Sequence, residues 1–311
     1  MTPLMRNLTV LLIAQLMLAL WLFSSNSDDI VSEPLLPQLS QADVLELSSK
    51  DSDAVLQLQK QDNTWRLADT ALPVSQSKID NLLRDLTAVK TGWPVAQSSA
   101  AQSRFSVSAD KFEQKLALKR GDTELATLYL GDSPAFRQLY LRKDDDDAIY
   151  KVALNRFELS TDESAWLDKQ LLRLPMVESL SQGDNRLLRD GANWTVQLAG
   201  ESKVADADAA RDLAAKLSSL TVLKRVAAPL STDFTELHAS SGSRDYTYQL
   251  LKQDDKALIR RTDIDYWFEL SQYQYDELQQ INWTALAKPA EPEVTVTADN
   301  ATETETSESG E

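Results

Sequence analysis

The sequence predicts an α+β protein: an N-terminal membrane helix followed by two related repeats of mainly antiparallel strands with packed helices. Three observations carry this. Residues 8–23 are apolar apart from Thr9 and Gln15. Short strand-like runs are separated by tight polar turns, as in hairpins. The order strand, turn, tryptophan strand, amphipathic helix, hairpins occurs twice, and strands interleaved with a few helices fit helices packed on antiparallel sheets.

The first element is the apolar run. Arg6 precedes it, and Asp28 and Asp29 follow it. Basic-before and acidic-after places the N-terminus in the cytoplasm and the body outside. At about 1.5 Å per residue the run spans roughly 24 Å, short of a hydrocarbon core of about 30 Å. Two readings stand: an uncleaved signal anchor, or a cleaved signal peptide with Ser25-Asn26-Ser27 as a small-x-small site. The anchor is preferred, because Ser is a weaker cleavage residue than Ala. The expected organisation is an anchor over 1–24, a linker over 25–41, a first repeat over 42–173, a second over 174–287 and a disordered acidic tail over 288–311.

Within the repeats, Val44-Leu45-Glu46-Leu47-Ser48 returns as Val177-Glu178-Ser179-Leu180-Ser181. The stretch from Leu58 to Leu67, with Trp65, returns from Leu187 to Val196, with Trp194. Ile79, Leu82, Leu83, Leu86 and Val89 form one apolar stripe at helical spacing. Ala210, Leu213, Ala214, Leu217 and Leu220 form another. Ser77 and Asp206 are the expected N-caps. Val95-Ala96 and Val226-Ala227 are matching exits. Hairpin strands follow over 115–120, 124–130, 138–143 and 148–152, and then over 245–252, 257–262 and 265–270, one strand fewer. Each repeat closes on a helix with a tryptophan, Trp166 within 160–172 and Trp283 within 271–286. The tryptophans at equivalent places are expected in the cores.

Composition excludes several functions. The formal net charge of -16 argues against nucleic acid, which demands clustered Lys and Arg. Cysteine is absent, which removes disulfides, thiol nucleophiles and cysteine metal sites. No G-x-G or G-x-x-x-x-G-K pattern occurs, so phosphate-loop nucleotide binding is excluded. His238 is the only histidine, and no G-x-S-x-G elbow accompanies it. Asp144–Asp147 is rich in hard oxygen ligands but lacks the alternation and glycine of a calcium loop, so it reads as a solvated hairpin tip. No catalytic residue, metal or cofactor is expected. Tyr246, Tyr248, Tyr266, Trp267, Tyr273 and Tyr275 crowd the second repeat, and they form the candidate interaction surface, since Tyr and Trp are enriched in interfaces.

The strand–turn–Trp65 opening, the helix after it, Leu130-Gly131-Asp132, Leu139-Tyr140-Leu141-Arg142 and Ile149-Tyr150-Lys151-Val152 resemble the domain of unknown function 4340 family. The resemblance covers about 44–172, and 177–286 more weakly. Asp62-Asn63 stands where the family usually has a glycine-containing turn, and it still suits a turn. The resemblance implies a bacterial inner-membrane protein, single pass through 8–23, with its body in the periplasm. It further implies an ABC-type transporter as partner, through the permease or auxiliary subunit, and offers no catalytic residues. The expected function is thus a non-enzymatic accessory protein. The alternatives are a periplasmic glycan- or lipid-binding module, and a hydrolase with an unrecognised site.

Overall fold

The computed structural model describes residues 12–18, 33–90 and 92–288. Residues 12–18 are helical (α1). The remainder of the 8–23 run and the whole of 289–311 lie outside the described residues. Among the described residues no helix is long and apolar enough to cross a membrane. The chain divides into two compact units, 1–171 with 223–225, and 172–222 with 226–311. Each is built on one large antiparallel sheet, so the fold is α+β.

The first unit contains β1 (Val44–Ser49), β2 (Ser52–Gln61) and β3 (Thr64–Leu67), then helix α2 (Gln76–Ala88) and helix α3 (Ser99–Arg104). Next come β4 (Gln114–Arg120), β5 (Thr123–Leu130), β6 (Leu139–Lys143), β7 (Ile149–Val152) and the short helix α4 (Glu163–Trp166). The sheet order is β3-β2-β1-β4-β5-β6-β7. Asp62 and Asn63 both adopt positive φ, as a two-residue type I′ hairpin requires, and Asn and Asp tolerate that region. Register then sets the core. Leu45 faces Leu58 and Leu118, Leu58 faces Leu67, and Leu116 faces Leu128. All six are essentially inaccessible, and α2 turns Ile79, Leu82 and Leu86 inward.

The other face of β5–β7 is also covered. Ala101 of α3, Val107, Tyr129 and Ile149 form a second cluster, with Phe105, Phe112 and Tyr140 packed on it. Gly131 makes that cover fit. A Cβ there would sit 2.0 Å from the Phe105 carbonyl oxygen and 2.7 Å from Val107 Cγ1. The Leu130-Gly131-Asp132 run therefore marks a close approach of two backbones.

The second unit contains β8 (Ser179–Gln182), β9 (Asn185–Asp190), β10 (Asn193–Leu198), β11 (Glu201–Val204) and helix α5 (Ala207–Ser218). Its sheet continues with β12 (Lys224–Val226), of which only Val226 falls in this unit, then β13 (Thr235–Ser241), β14 (Arg244–Gln253), β15 (Lys256–Arg261) and β16 (Trp267–Leu270), and helix α6 (Gln272–Gln279) follows. The order is β11-β10-β9-β8-β13-β14-β15-β16-β12. Leu180, Leu187, Val196, Leu237, Leu250, Ile259 and Phe268 are fully buried in it, and α5 adds Ala210, Leu213 and Leu217.

Several expectations are corrected. The second unit has four hairpin strands after its helix, β13–β16, as the first has β4–β7, not one fewer: β13 is hard to read in the sequence because its inward side chains are only Leu237 and Ala239. The α2 N-cap is Ser75, not Ser77, and no side-chain cap bond forms there. Asp206 does cap α5, accepting from Asp208 N and Ala209 N. The helix expected over 160–172 shrinks to α4, because Leu167 and its neighbours pair instead with the chain before α2. Asp168 N donates to Pro73 O and Ser75 N to Trp166 O. The helix expected over 271–286 is α6 plus a 3-10 turn at Thr284–Leu286.

Candidate functional site

The six aromatic residues of the expected surface are not brought to one surface. Tyr248 is fully buried in β14, where its hydroxyl donates to the Leu172 carbonyl at 2.7 Å. Burial pushes its phenol up to about 12, against the opposing pull of Arg261. Trp267 and Tyr275 are also core residues. Tyr246 and Tyr266 are half-buried, and the Arg261 guanidinium lies 4.9 Å over the Tyr246 ring. Tyr273 alone of the six is open to solvent, at 71% exposure. Periodicity explains the split. Tyr246 and Tyr248 are two apart on a strand and share its inward face. Tyr273 and Tyr275 are two apart on a helix and point to opposite sides.

Tyr273 borders a groove of about 520 Å³ between α5 and α6. Asp212, Lys216 and Leu213 line one wall; Asp276, Glu277 and Gln280 line the other. Lys216 and Glu277 bridge the helices at 3.2 Å. A hydrogen bond to Glu277 holds the Tyr273 phenol above its ordinary value. A second groove of about 620 Å³ lies beside Trp194, with Arg189, Arg211 and Met176 on its walls. Trp194 itself is only 5% exposed. Both grooves are lined by charged and apolar side chains together, as protein contact surfaces are.

The aspartate run is organised from below by Arg142, a buried cation on β6. Its Nε donates to Val107 O at 2.8 Å, and its Nη1 donates to the carbonyls of Lys143, Asp144 and Asp146. The guanidinium also stacks 4.7 Å from the Tyr129 ring. Asp146 accepts from Ala148 N and the Tyr150 hydroxyl, and Asp147 from Gln102. Its carbonyls thus serve an arginine. No group of three or more His, Asp or Glu among the described residues is placed to hold a metal. His238 is exposed on β13, with Nδ1 3.0 Å from Thr247 Oγ1.

With that geometry in place, the family is decided by one match. The model described as "Domain of unknown function (DUF4340)" matches residues 65–241, more than half of the chain. The chain belongs to that family. The match opens at Trp65, the strand that the sequence marks most clearly, and ends at Ser241, the last residue of β13. No curated relative and no solved structure matches the chain. Sequence reasoning reached Tyr273 and Trp194 on the groove walls and the run that ends in Arg142, but neither the grooves themselves nor the carbonyls gathered on Arg142. The α5–α6 groove joins residues far apart in the chain, and Arg142 is satisfied by backbone carbonyls, which leave no side-chain signature.

Proposed function

We propose that this chain is a non-enzymatic accessory protein, anchored in the bacterial inner membrane by residues 8–23, with its body in the periplasm and an ABC-type transporter as partner. The observation that carries the reading is the apolar run, with Arg6 before it and Asp28 and Asp29 after it. The partner rests only on what the resemblance to the family implies. We further propose that the two units are copies of one ancestral unit. The strand order β3-β2-β1-β4-β5-β6-β7 in one and β10-β9-β8-β13-β14-β15-β16 in the other supports this, with α2 and α5 at the same point in the path. The Tyr273 groove is the surface best suited to a protein partner, because it is open and lined by both charges.

Two experiments test the reading. A reporter active only outside the cytoplasm, fused after Leu286, is expected to be active; activity of a cytoplasm-only reporter there overturns the topology. A photo-crosslinking residue at Tyr273 in the full chain is expected to capture a transporter subunit in cells. Capture of none, with the protein in the membrane, removes that surface.

A further inference from the structure

Helix α5 separates two grooves of opposite charge. The groove beside Tyr273 is lined by Asp212, Asp276 and Glu277 against the single cation Lys216. On the other flank of α5, Arg211, Ala214, Ala215 and Ser218 line the groove beside Trp194. They recur at i, i+3, i+4 and i+7, which is one stripe of a helix. Arg189 of β9 is that groove's other cation, and no carboxylate lines it. The whole chain carries a formal net charge of -16, so this groove runs against the protein's overall charge. A cleft lined by one sign of charge concentrates ligands of the other.

Arg189 is held in place before any ligand arrives. Its Nε donates to the Gly191 carbonyl at 2.9 Å, and its guanidinium lies 5.7 Å from the centre of the Trp194 ring. A planar fork tied at Nε and stacked on an indole loses little further freedom when it binds. Its Nη1 and Nη2 have no partner among the described residues. Arg211 is engaged only by Asp208, one turn away on α5, at 2.7 Å. That pair is 65% and 84% exposed, so it is weak and gives way to a better carboxylate. Pro175 and the half-exposed Met176 add an apolar wall, and Ala214 and Ala215 are small enough for a backbone to come close. We propose that this groove binds an acidic peptide segment of a partner protein, with carboxylates on the Arg189 and Arg211 forks and an apolar side chain against Met176 and Pro175. Arginine pairs are a recurring means of reading acidic motifs, because the guanidinium fork matches a carboxylate with two parallel bonds. A small inorganic anion would leave the apolar wall of this groove of about 620 Å³ uncovered. The site is separate from the Tyr273 groove and depends on neither the anchor nor the transporter.

Fluorescence anisotropy tests this with the full chain in nonionic detergent and a fluorescein-labelled peptide of alternating Glu and Leu. The peptide is expected to bind, more weakly as salt is added. Arg189→Gln and Arg211→Gln should each weaken it about tenfold, the loss of one charge-assisted fork. Arg189→Lys keeps the charge without the fork and should fall between wild type and Arg189→Gln. A peptide of alternating Glu and Ser should bind less tightly, since it leaves Met176 and Pro175 bare. Arg186 is the control: it is exposed, three residues from Arg189 on β9 and so on the other face of the sheet, and Arg186→Gln should change nothing. No binding by the wild type overturns the proposal, and so does equal binding by wild type and both Gln variants at 189 and 211 with unchanged circular dichroism. Displacement of the peptide by equimolar inorganic phosphate would make the groove a simple anion site and overturn it as well. Residues 289–311 hold seven Asp and Glu and no Lys or Arg. Binding that emerges only when they are deleted would assign the groove to the chain itself and remove the partner.

Discussion

The two sheets share a strand order but differ in what covers their second face. In the first unit the segment between α2 and β4 carries α3 and folds onto β5–β7, where Ala101, Val107, Tyr129 and Ile149 make a second core. In the second unit the equivalent segment carries only β12, which lies beside β16. Its face keeps a smaller cluster of Leu251, Leu258 and Trp267. Beside that cluster runs a polar ladder: Gln249 donates to Glu236 at 2.9 Å, and Arg260 donates to Gln249 and lies 5.1 Å over Trp267. The exits Val95-Ala96 and Val226 nonetheless both lie beside the last strand of their hairpins, β7 and β16. The path of the chain is thus the same where hydrogen bonding sets it, and differs where only side chains decide. A sheet face can be closed by an apolar layer or left polar without altering the ladder beneath it.

The largest expected effect tests the shared part. Trp65 on β3 and Trp194 on β10 are 4% and 5% exposed. Truncating either to Ala removes most of its burial and leaves a cavity, at a cost of about 3–5 kcal/mol. Against a domain stability of about 5–15 kcal/mol the loss is large, and thermal melts of the two variants should fall by similar amounts. An unchanged melting temperature for Trp194→Ala alone would break the equivalence and show that Trp194 does not hold its core together.

Next in size is Gly131→Ala, which acts on the face that differs. The new Cβ meets the Phe105 carbonyl, a backbone atom that has no rotamer to escape by. Overpacking of this kind costs about 3 kcal/mol or somewhat less. Hydrogen exchange should quicken in α3, β5 and β6 and stay unchanged in β14–β15. Equal quickening in both sheets would show that the two units do not unfold separately.

Tyr248 supplies a pH contrast. Its folded value is raised from 10.0 to about 12, mainly by burial. A raised value means that the folded state holds its proton when the unfolded chain has lost it. The contribution is therefore complete below pH 10 and lost as pH climbs toward 12, about 2–3 kcal/mol in all. Burial also raises Tyr129 and Tyr150 in the first unit. Alkaline melts followed by hydrogen exchange should show the second sheet loosening first. In Tyr248→Phe that slope should flatten, while stability at neutral pH drops by about 1 kcal/mol for the lost bond to Leu172.

What was legible follows from physical range. The stripes of α2 and α5 repeat every three to four residues, so the helices and their buried faces were readable from the sequence. The Asp62-Asn63 turn was readable because few residues tolerate positive φ. β11 was not, since all of Glu201–Val204 is exposed and the strand exists only through its pairing with β10. The Leu130-Gly131-Asp132 run was visible, but its reason, the Phe105 carbonyl, arrives from a loop far earlier in the chain. The aromatic cluster misled because a count of tyrosines ignores which face each occupies. Tyr248, Trp267 and Tyr275 went to the core, and only Tyr273 reached solvent.

The smallest effect separates the two helices that occupy the same place in the two paths. At α5, Asp206 Oδ1 accepts from Asp208 N at 3.0 Å and Ala209 N at 2.9 Å, satisfying two of the helix's free donors. Its negative charge also sits at the positive end of the helix dipole. At α2, Ser75 has the extended backbone of a cap, but its hydroxyl lies 3.1 Å from the Ser77 hydroxyl and makes no bond to the helix backbone. Its backbone N–H donates to Trp166 O instead, so α2 is fixed by the chain around α4 rather than by its own cap side chain. Asp206→Ala should therefore cost about 1 kcal/mol, near the middle of measured cap losses. Ser75→Ala should cost only a few tenths of that, since no cap bond is lost. Denaturant titrations of both variants read the difference directly. Equal losses would mean that Ser75 caps in solution after all, and the two helices would then be held in the same way.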